Sequence, residues 1–343
     1  MPNRKKSANL SRRSTPWDTA QERTPLQQFI RDKHIDTFEN HHQALKETNE
    51  FEVINSYTPK VCPRCGSKTF KKYGKNKNFV QIYKCLTCNS KFNPTTGTIF
   101  EGRKISIIEW IKYCRNLFHY LSTNSNSWNN RNAFTTSTYW LRKIFLILES
   151  YQNDIILGGV VWIDETYYPL RKRDIKLNDD GSLPRGLSKN QMCIGVACTI
   201  NKVLCYYECD GMPSEDISFD FFSKHIENGS VLIHDETNAH NKLIDSLSLI
   251  NRPFNAEECK KLPNEENPLN RINTVHSLLK RFLNMHISFN RSELQGYLNL
   301  FSFIMNPPDD KLEKIELILD MAFSIKKSLR YRELFSKKPN STP

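Results

Sequence analysis

"GGVVWIDETYYPL", residues 158–170, and "GSVLIHDETNAHNKL", residues 229–243, carry one pattern twice: glycine, a short apolar run, then Asp-Glu-Thr. The runs Val160 to Ile163 and Val231 to Ile233 have the length and branched side chains of buried strands. Each delivers an acid, Asp164 or Asp235, at its C-terminal end. Either acid alone would as readily close a turn. As a pair at the carboxyl ends of neighbouring strands they converge, and become candidates to chelate Mg2+ or Mn2+. Paired metals so held activate an attacking oxygen and stabilise the leaving oxygen of a phosphodiester. Between the two stations, "QMCIGVACTINKVLCYYECDG" (191–211) reads as two strands joined at Asn201-Lys202, and "SEDISFDFFSKHIENG" (214–229) as a helix opened by Ser214. The element order is strand with Asp, two strands, helix, strand with Asp, then helices.

Upstream, Cys62-x-x-Cys65 and Cys85-x-x-Cys88 are separated by nineteen residues, the spacing of a two-knuckle site that holds structural Zn2+ through four thiolates. A β-hairpin between the turns brings the knuckles together. A redox dithiol needs only one such pair. The segment has few large apolar side chains, so the ion would act as its folding device. The other cysteines of the second half, Cys193, Cys198, Cys205 and Cys209, lie in apolar strand-like runs and read as buried structural residues. Charge is concentrated in the same region: residues 60–104 hold eleven Lys/Arg against Glu101 alone, +10 of a net +12, and residues 1–25 add +4. Such a patch suits a polyanion such as DNA. Lys68, Lys71, Lys72, Lys75 and Lys77, interleaved with Phe70, Tyr73, Phe79 and Tyr83, are the candidate DNA contacts there.

After the cysteine module, "ISIIEWIKYCRNLFHYLS" has helical spacing through Ile108, Ile111, Leu117 and Leu121. A Ser/Asn-rich connection follows, then "TSTYWLRKIFLILESY" as a second helix with Thr/Ser capping residues. This layout is helix-turn-helix-like, with Arg142 and Lys143 as further candidate DNA contacts. The expected organisation is therefore a disordered basic tail (1–25), a polar, partly helical segment (26–57), a zinc ribbon (58–104), a helix-turn-helix-like unit (105–155), a catalytic α/β domain (156–306), and a C-terminal helix and tail (307–343). No apolar run approaches the ~20 residues of a bilayer span, and no apolar segment follows the basic N-terminus. A reducing, cytoplasmic setting is expected.

In "NRINTVHSLLKRF" (270–282), Asn273, His276 and Lys280 share one edge of an amphipathic helix beside Val275, Leu279 and Phe282. By itself such a stripe reads as solvated surface.

Together these stretches resemble the zinc-ribbon transposases of bacterial insertion sequences, the ISXO-like group, whose catalytic domain is a ribonuclease-H-like mixed sheet with flanking helices. The resemblance spans roughly residues 60–305. It rests on "CPRCGS" with "YKCLTCNSKF", "TTGTIFEGRKIS" with Trp110, "WIDETYYP", "LIHDETNAHNKL", and "INTVHSLLKRF" followed by "LQGYLNLFSFIMN". It implies a DDE-type enzyme that binds its element's terminal inverted repeats, nicks at the ends and joins the freed 3′-hydroxyls to target DNA, assembling as a homo-oligomer on DNA. Asp164 and Asp235 occupy the first two acidic positions. The third acid is absent: counting back seven residues from Lys280 lands on Asn273, and His276 stands one turn on, so either Asn273 or His276 would complete the metal site. The missing glutamate leaves two other readings open, a DNA-binding regulator without catalysis and a metal-dependent nuclease without strand transfer.

Overall fold

The computed structural model describes residues 49–335 except 104, 131, 171–174, 176, 183–189 and 287–288. The expectations for residues 1–25 and for most of 26–57 lie outside the described residues. Two compact units are present, one of residues 1–147 with 311–343 and one of 148–310. In chain order the first holds α1 (Phe51–Ser56), β1 (Phe70–Lys75), β2 (Gln81–Cys85), β3 (Lys91–Phe92), α2 (Ile107–Phe118), α3 (Thr123–Asn129) and α4 (Phe134–Leu148). The second holds β4 (Val160–Pro169), β5 (Gln191–Cys198), β6 (Val203–Asp210), α5 (Glu215–Phe222), β7 (Val231–Asp235), α6 (Asn241–Leu247), β8 (Ile250–Phe254), α7 (Ala256–Cys259), α8 (Asn270–Met285) and α9 (Leu294–Met305). Helices α10 (Lys311–Ser324) and α11 (Tyr331–Phe335) complete the first unit. No helix among the described residues is long and apolar enough to cross a membrane.

In the second unit the five strands run in the order β6-β5-β4-β7-β8. β4, β5 and β6 are antiparallel, and β7 and β8 join parallel to β4. This order and these directions make the sheet ribonuclease-H-like, with helices on its faces. One face is an apolar core in which Val161, Ile163, Ala197, Leu204 and Leu232 meet Phe222 of α5 and Leu243 of α6. Ser214 caps α5 by accepting from the Ile217 amide, as its sequence position suggested. The other face carries α8 and α9. β6 is an edge strand, and amide side chains close it: Gln152 both donates to the Cys205 carbonyl (2.9 Å) and accepts from its amide (2.8 Å), and Asn306 accepts from the Val203 amide. Backbone groups that would otherwise recruit another strand are thereby satisfied.

Two features depart from the sequence reading. β4 does not end at Asp164 but continues to Pro169, because β5 pairs with it over its whole later half; only the parallel ladder with β7 stops, at Trp162. β8 was not anticipated, since "INRPF" carries Asn, Arg and Pro; as an exposed edge strand it tolerates Pro253.

In the first unit, β1, β2 and β3 form a small sheet. The buried stripe of α2 is Ile107, Trp110, Tyr113, Cys114, Leu117 and Phe118, while Ile108 and Ile111 are exposed. Both sets have helical spacing, and the one bearing the larger aromatic rings is buried: Trp110 stacks on Trp140 of α4 at 4.7 Å. The Ser/Asn-rich connection contains the short α3, capped by Ser122. The C-terminal helix packs within this unit, where Phe323 meets Phe100 and Tyr57 at ring-centroid distances of 4.9 and 4.3 Å.

Candidate metal centres and nucleic-acid surface

The two cysteine turns fold alike. In each, the amide of the first cysteine donates two residues past the second, Cys62 to Ser67 and Cys85 to Ser90, and the residue after the second cysteine is left-handed, Gly66 at φ 74° and Asn89 at φ 57°. Gly and Asn are the residues that adopt this conformation at least cost. The Sγ atoms of Cys62 and Cys88 are 3.7 Å apart, those of Cys65 and Cys85 3.6 Å, and all four lie within 4.8 Å of one another. Zn–S bonds of about 2.3 Å would set sulfurs roughly 3.8 Å apart in a tetrahedron, so the donors fit zinc. The Ser90 hydroxyl and amide hold Cys88 down at about 6, favouring the thiolate that ligates. Under the sulfurs sits a core of Phe70, Tyr83 and Phe92. Two of the four interleaved aromatics are thus structural.

Lys68, Lys71, Lys72, Lys75 and Lys77 are all exposed. Tyr73, 46% exposed, lies under the ammonium groups of Lys84 and Lys91, at 5.7 and 4.6 Å from its centroid. Arg142 is half-buried over the Phe145 ring at 5.4 Å. Lys143, unlike Arg142, is buried: it donates to the Ile99 carbonyl and sits 4.5 Å from the Tyr139 centroid. Its helix turns it inward with Trp140 and Ile144.

In the second unit, three contacts lay α8 over the face of β4. The Trp162 indole donates to the Pro268 carbonyl at 2.8 Å, Arg271 donates to the Thr199 and Ile200 carbonyls, and Tyr168 donates to Asn284 at 3.1 Å. Trp162, Asp164 and Tyr168 alternate onto this face with period two. The pairing of Val160, Val161 and Trp162 with Val231, Leu232 and Ile233 carries forward to set Asp164 beside Asp235, side chains on the same face. Burial, and then the charge of Asp235, push Asp164 up to about 7. From α8, His276 brings Nδ1 to 3.7 Å from Asp164 Oδ2. Burial and then Lys280 hold the imidazole down at about 4, neutral and able to offer a lone pair. Asn273 is exposed on the same helix. Among the described residues only the cysteine tetrad brings three or more such donor atoms within 4.8 Å of one another, so Asp164, Asp235 and His276 supply the oxygen and nitrogen donor types that suit a divalent cation and would have to draw closer to share one.

Glu165, the neighbour of Asp164, points to the opposite face, with Oε1 3.6 Å from His240 Nε2. Glu208 reaches over Gly195 towards it, where an added Cβ would meet the carboxyl carbon at 2.6 Å. Burial and then Glu208 push Glu165 up to about 9, and burial pushes Glu208 up to about 7. Sequence reading passed over this buried group; its only signal was the doubled Asp-Glu. A carboxyl raised on folding stabilises fully below its unfolded value, near 4.5, and loses that contribution as pH rises through 7. The Glu208→Gln variant is therefore expected to melt higher than the parent at pH 8, by roughly 3 kcal/mol, with the gap closing at pH 5. Thermal melts at the two pH values check this, and a gap independent of pH would count against a proton on Glu208.

No family model matches the chain, and no curated protein matches it. Among solved structures it is similar to the Mos1 strand transfer complex, at 13% identity over 63% of this chain and 78% of that one with a TM-score of 0.27. It is also similar to the Mos1 mariner paired end complex with Mn, at 11% identity over 61% and 75% with a TM-score of 0.26. A third is the Mos1 transposase paired-end complex with left transposon end, at 12% identity over 60% and 77% with a TM-score of 0.22. Likeness this distant leaves function to be argued from the sites.

Proposed function

We propose that this chain is a DNA transposase of the zinc-ribbon insertion-sequence type, a metal-dependent nuclease and strand transferase acting on its element's terminal inverted repeats. The observation that carries the reading is Asp164 set beside Asp235 on adjacent parallel strands, beneath His276 and Lys280. The cysteine tetrad with its exposed lysines supports a zinc-folded DNA-binding module. Asp164, Asp235 and His276 would hold Mg2+ or Mn2+, which when bound supplies a polarised attacking oxygen and neutralises charge at the scissile phosphate. Asp164 would give up its carboxyl proton to solvent water on taking up the cation and act as an oxygen ligand. His276 stays neutral and fixes the position of Asp164. Lys280, exposed on the same helix, offsets phosphate charge and orients the flanking strand. Assembly as a homo-oligomer on paired ends and a cytoplasmic location belong to the same reading.

The test is joining of a cognate element end to plasmid DNA by purified protein. Joining should require Mg2+ or Mn2+ and vanish in Asp164→Ala, with end binding retained. Unchanged joining in that variant would sink the proposal, and products formed with water alone would mark a nuclease without strand transfer. The exposed Asn273 where a third acid is usual favours one other reading, a binding regulator; sequence-specific binding without metal-dependent nicking would select it.

A further inference from the structure

A cavity of about 640 Å³ opens in the first unit, within the roughly 300–1,000 Å³ range of small-molecule sites. Trp110, Trp140, Tyr139 and Tyr331 contribute to its walls, together with Lys143 and Arg330. The lysine is the informative residue. It is 4% exposed, yet its partners are one backbone carbonyl and the Tyr139 ring. The nearby carboxylates are committed elsewhere: Glu50 to Arg103 at 2.7 Å, Glu101 to Arg64 at 2.6 Å, and Glu333 to Arg330 at 4.0 Å. No carboxylate among the described residues pairs with Lys143. A buried ammonium with one acceptor and no counter-charge is costly unless an anion reaches it, and burial accordingly pulls it down to about 8. Donors of this kind beside aromatic rings match a group that is anionic at one end and flat and aromatic at the other.

We infer that this cavity is a binding site for a single nucleotide, with the base against Tyr139 and Tyr331 and the phosphate at Lys143 and at Arg330, which would exchange its 4.0 Å contact with Glu333 for the phosphate. Two sources offer that chemistry, one nucleotide turned out of a DNA strand and a free mononucleotide. The first rests on the reading that the chain handles DNA; the second does not, so failure of one is separable from failure of the other. Base-on-aromatic contact is indifferent to sequence, since every base has a π-face. The site would therefore hold a displaced nucleotide of either strand.

The full-length protein is titrated with thymidine 5′-monophosphate, followed by calorimetry, and separately with a duplex carrying one bulged 2-aminopurine, followed by its fluorescence. Saturable mononucleotide binding is expected, weakened about tenfold by Lys143→Met and again by Arg330→Gln. Lys143→Met keeps the buried stem, and Arg330 is 58% exposed, so the second variant reports even where the first disturbs packing. A 2-aminopurine signal competed away by the mononucleotide assigns the DNA source, whereas mononucleotide binding with no effect on the bulge assigns the free ligand. Equal affinity in both variants, or inorganic phosphate binding as tightly as the nucleotide, overturns the inference.

Discussion

Asp235→Asn is expected to abolish metal-dependent nicking and joining of element ends, a loss of about a thousandfold or more, with binding to the ends unchanged. The substitution keeps the shape and the oxygen that accepts from the Thr237 amide at 3.3 Å, so the strand end survives. What it removes is the negative charge beside Asp164. Three decades correspond to about 4 kcal/mol of transition-state stabilisation, the scale of what a held metal supplies. His276→Ala should lose about a hundredfold and Asn273→Ala no more than about threefold, because the imidazole is buried with Nδ1 3.7 Å from Asp164 while Asn273 faces solvent. Single-turnover nicking rates for the three variants on one labelled end would establish the ranking. The reverse order for His276 and Asn273 would return the third position to the asparagine that the seven-residue count to Lys280 selects.

That contrast shows where sequence reading stops. Four of the five strands of the second unit, the apolar runs that lead into Asp164 and Asp235, and the cysteine tetrad were legible because each depends on local pattern: short apolar runs, and paired cysteines at knuckle spacing. Helix α8 was legible as amphipathic, but which of two polar residues 60° apart on its edge turns inward depends on how Trp162, Arg271 and Tyr168 seat it on the sheet. No spacing within residues 270–282 encodes that rotation. Helix α2 shows the same limit, since Ile108 and Ile111 fit the period as well as Ile107 and Trp110 do, and aromatic stacking with α4 decides between them. The burial of Lys143 was hidden for a related reason: a basic residue beside Arg142 looks like surface until the helix is given a partner. The Glu165, Glu208 and His240 group joins three separate elements, and its members meet only once β4, β6 and the turn after β7 are assembled.

Removing the zinc, or replacing one ligand by Cys85→Ser, is expected to unfold residues 58–104 while the second unit keeps its melting transition. The sheet of β1, β2 and β3 rests on Phe70, Tyr83 and Phe92 with Cys62 and Cys85 among them, a core too small to persist unaided. Zinc binding of roughly 10–16 kcal/mol is folding free energy in modules of this size. Four sulfurs within 4.8 Å of one another, with two pairs at 3.6 and 3.7 Å, cannot all ionise so close together without a cation between them. DNA affinity should fall with the fold, because Lys68, Lys71, Lys72, Lys75 and Lys77 keep their charge but lose the hairpin that presents them together. If those five lysines each neutralise one phosphate, the logarithm of the affinity falls with the logarithm of salt at a slope of about −4.5. Lys72→Gln should reduce that slope by about one, whereas the metal-free protein should bind weakly with a shallower slope and no preference for element ends. Hydrogen exchange across residues 58–104, measured with and without chelator beside the salt titration, follows both consequences at once. Protection that survives complete removal of zinc would mean that the tetrad is not what holds the module together.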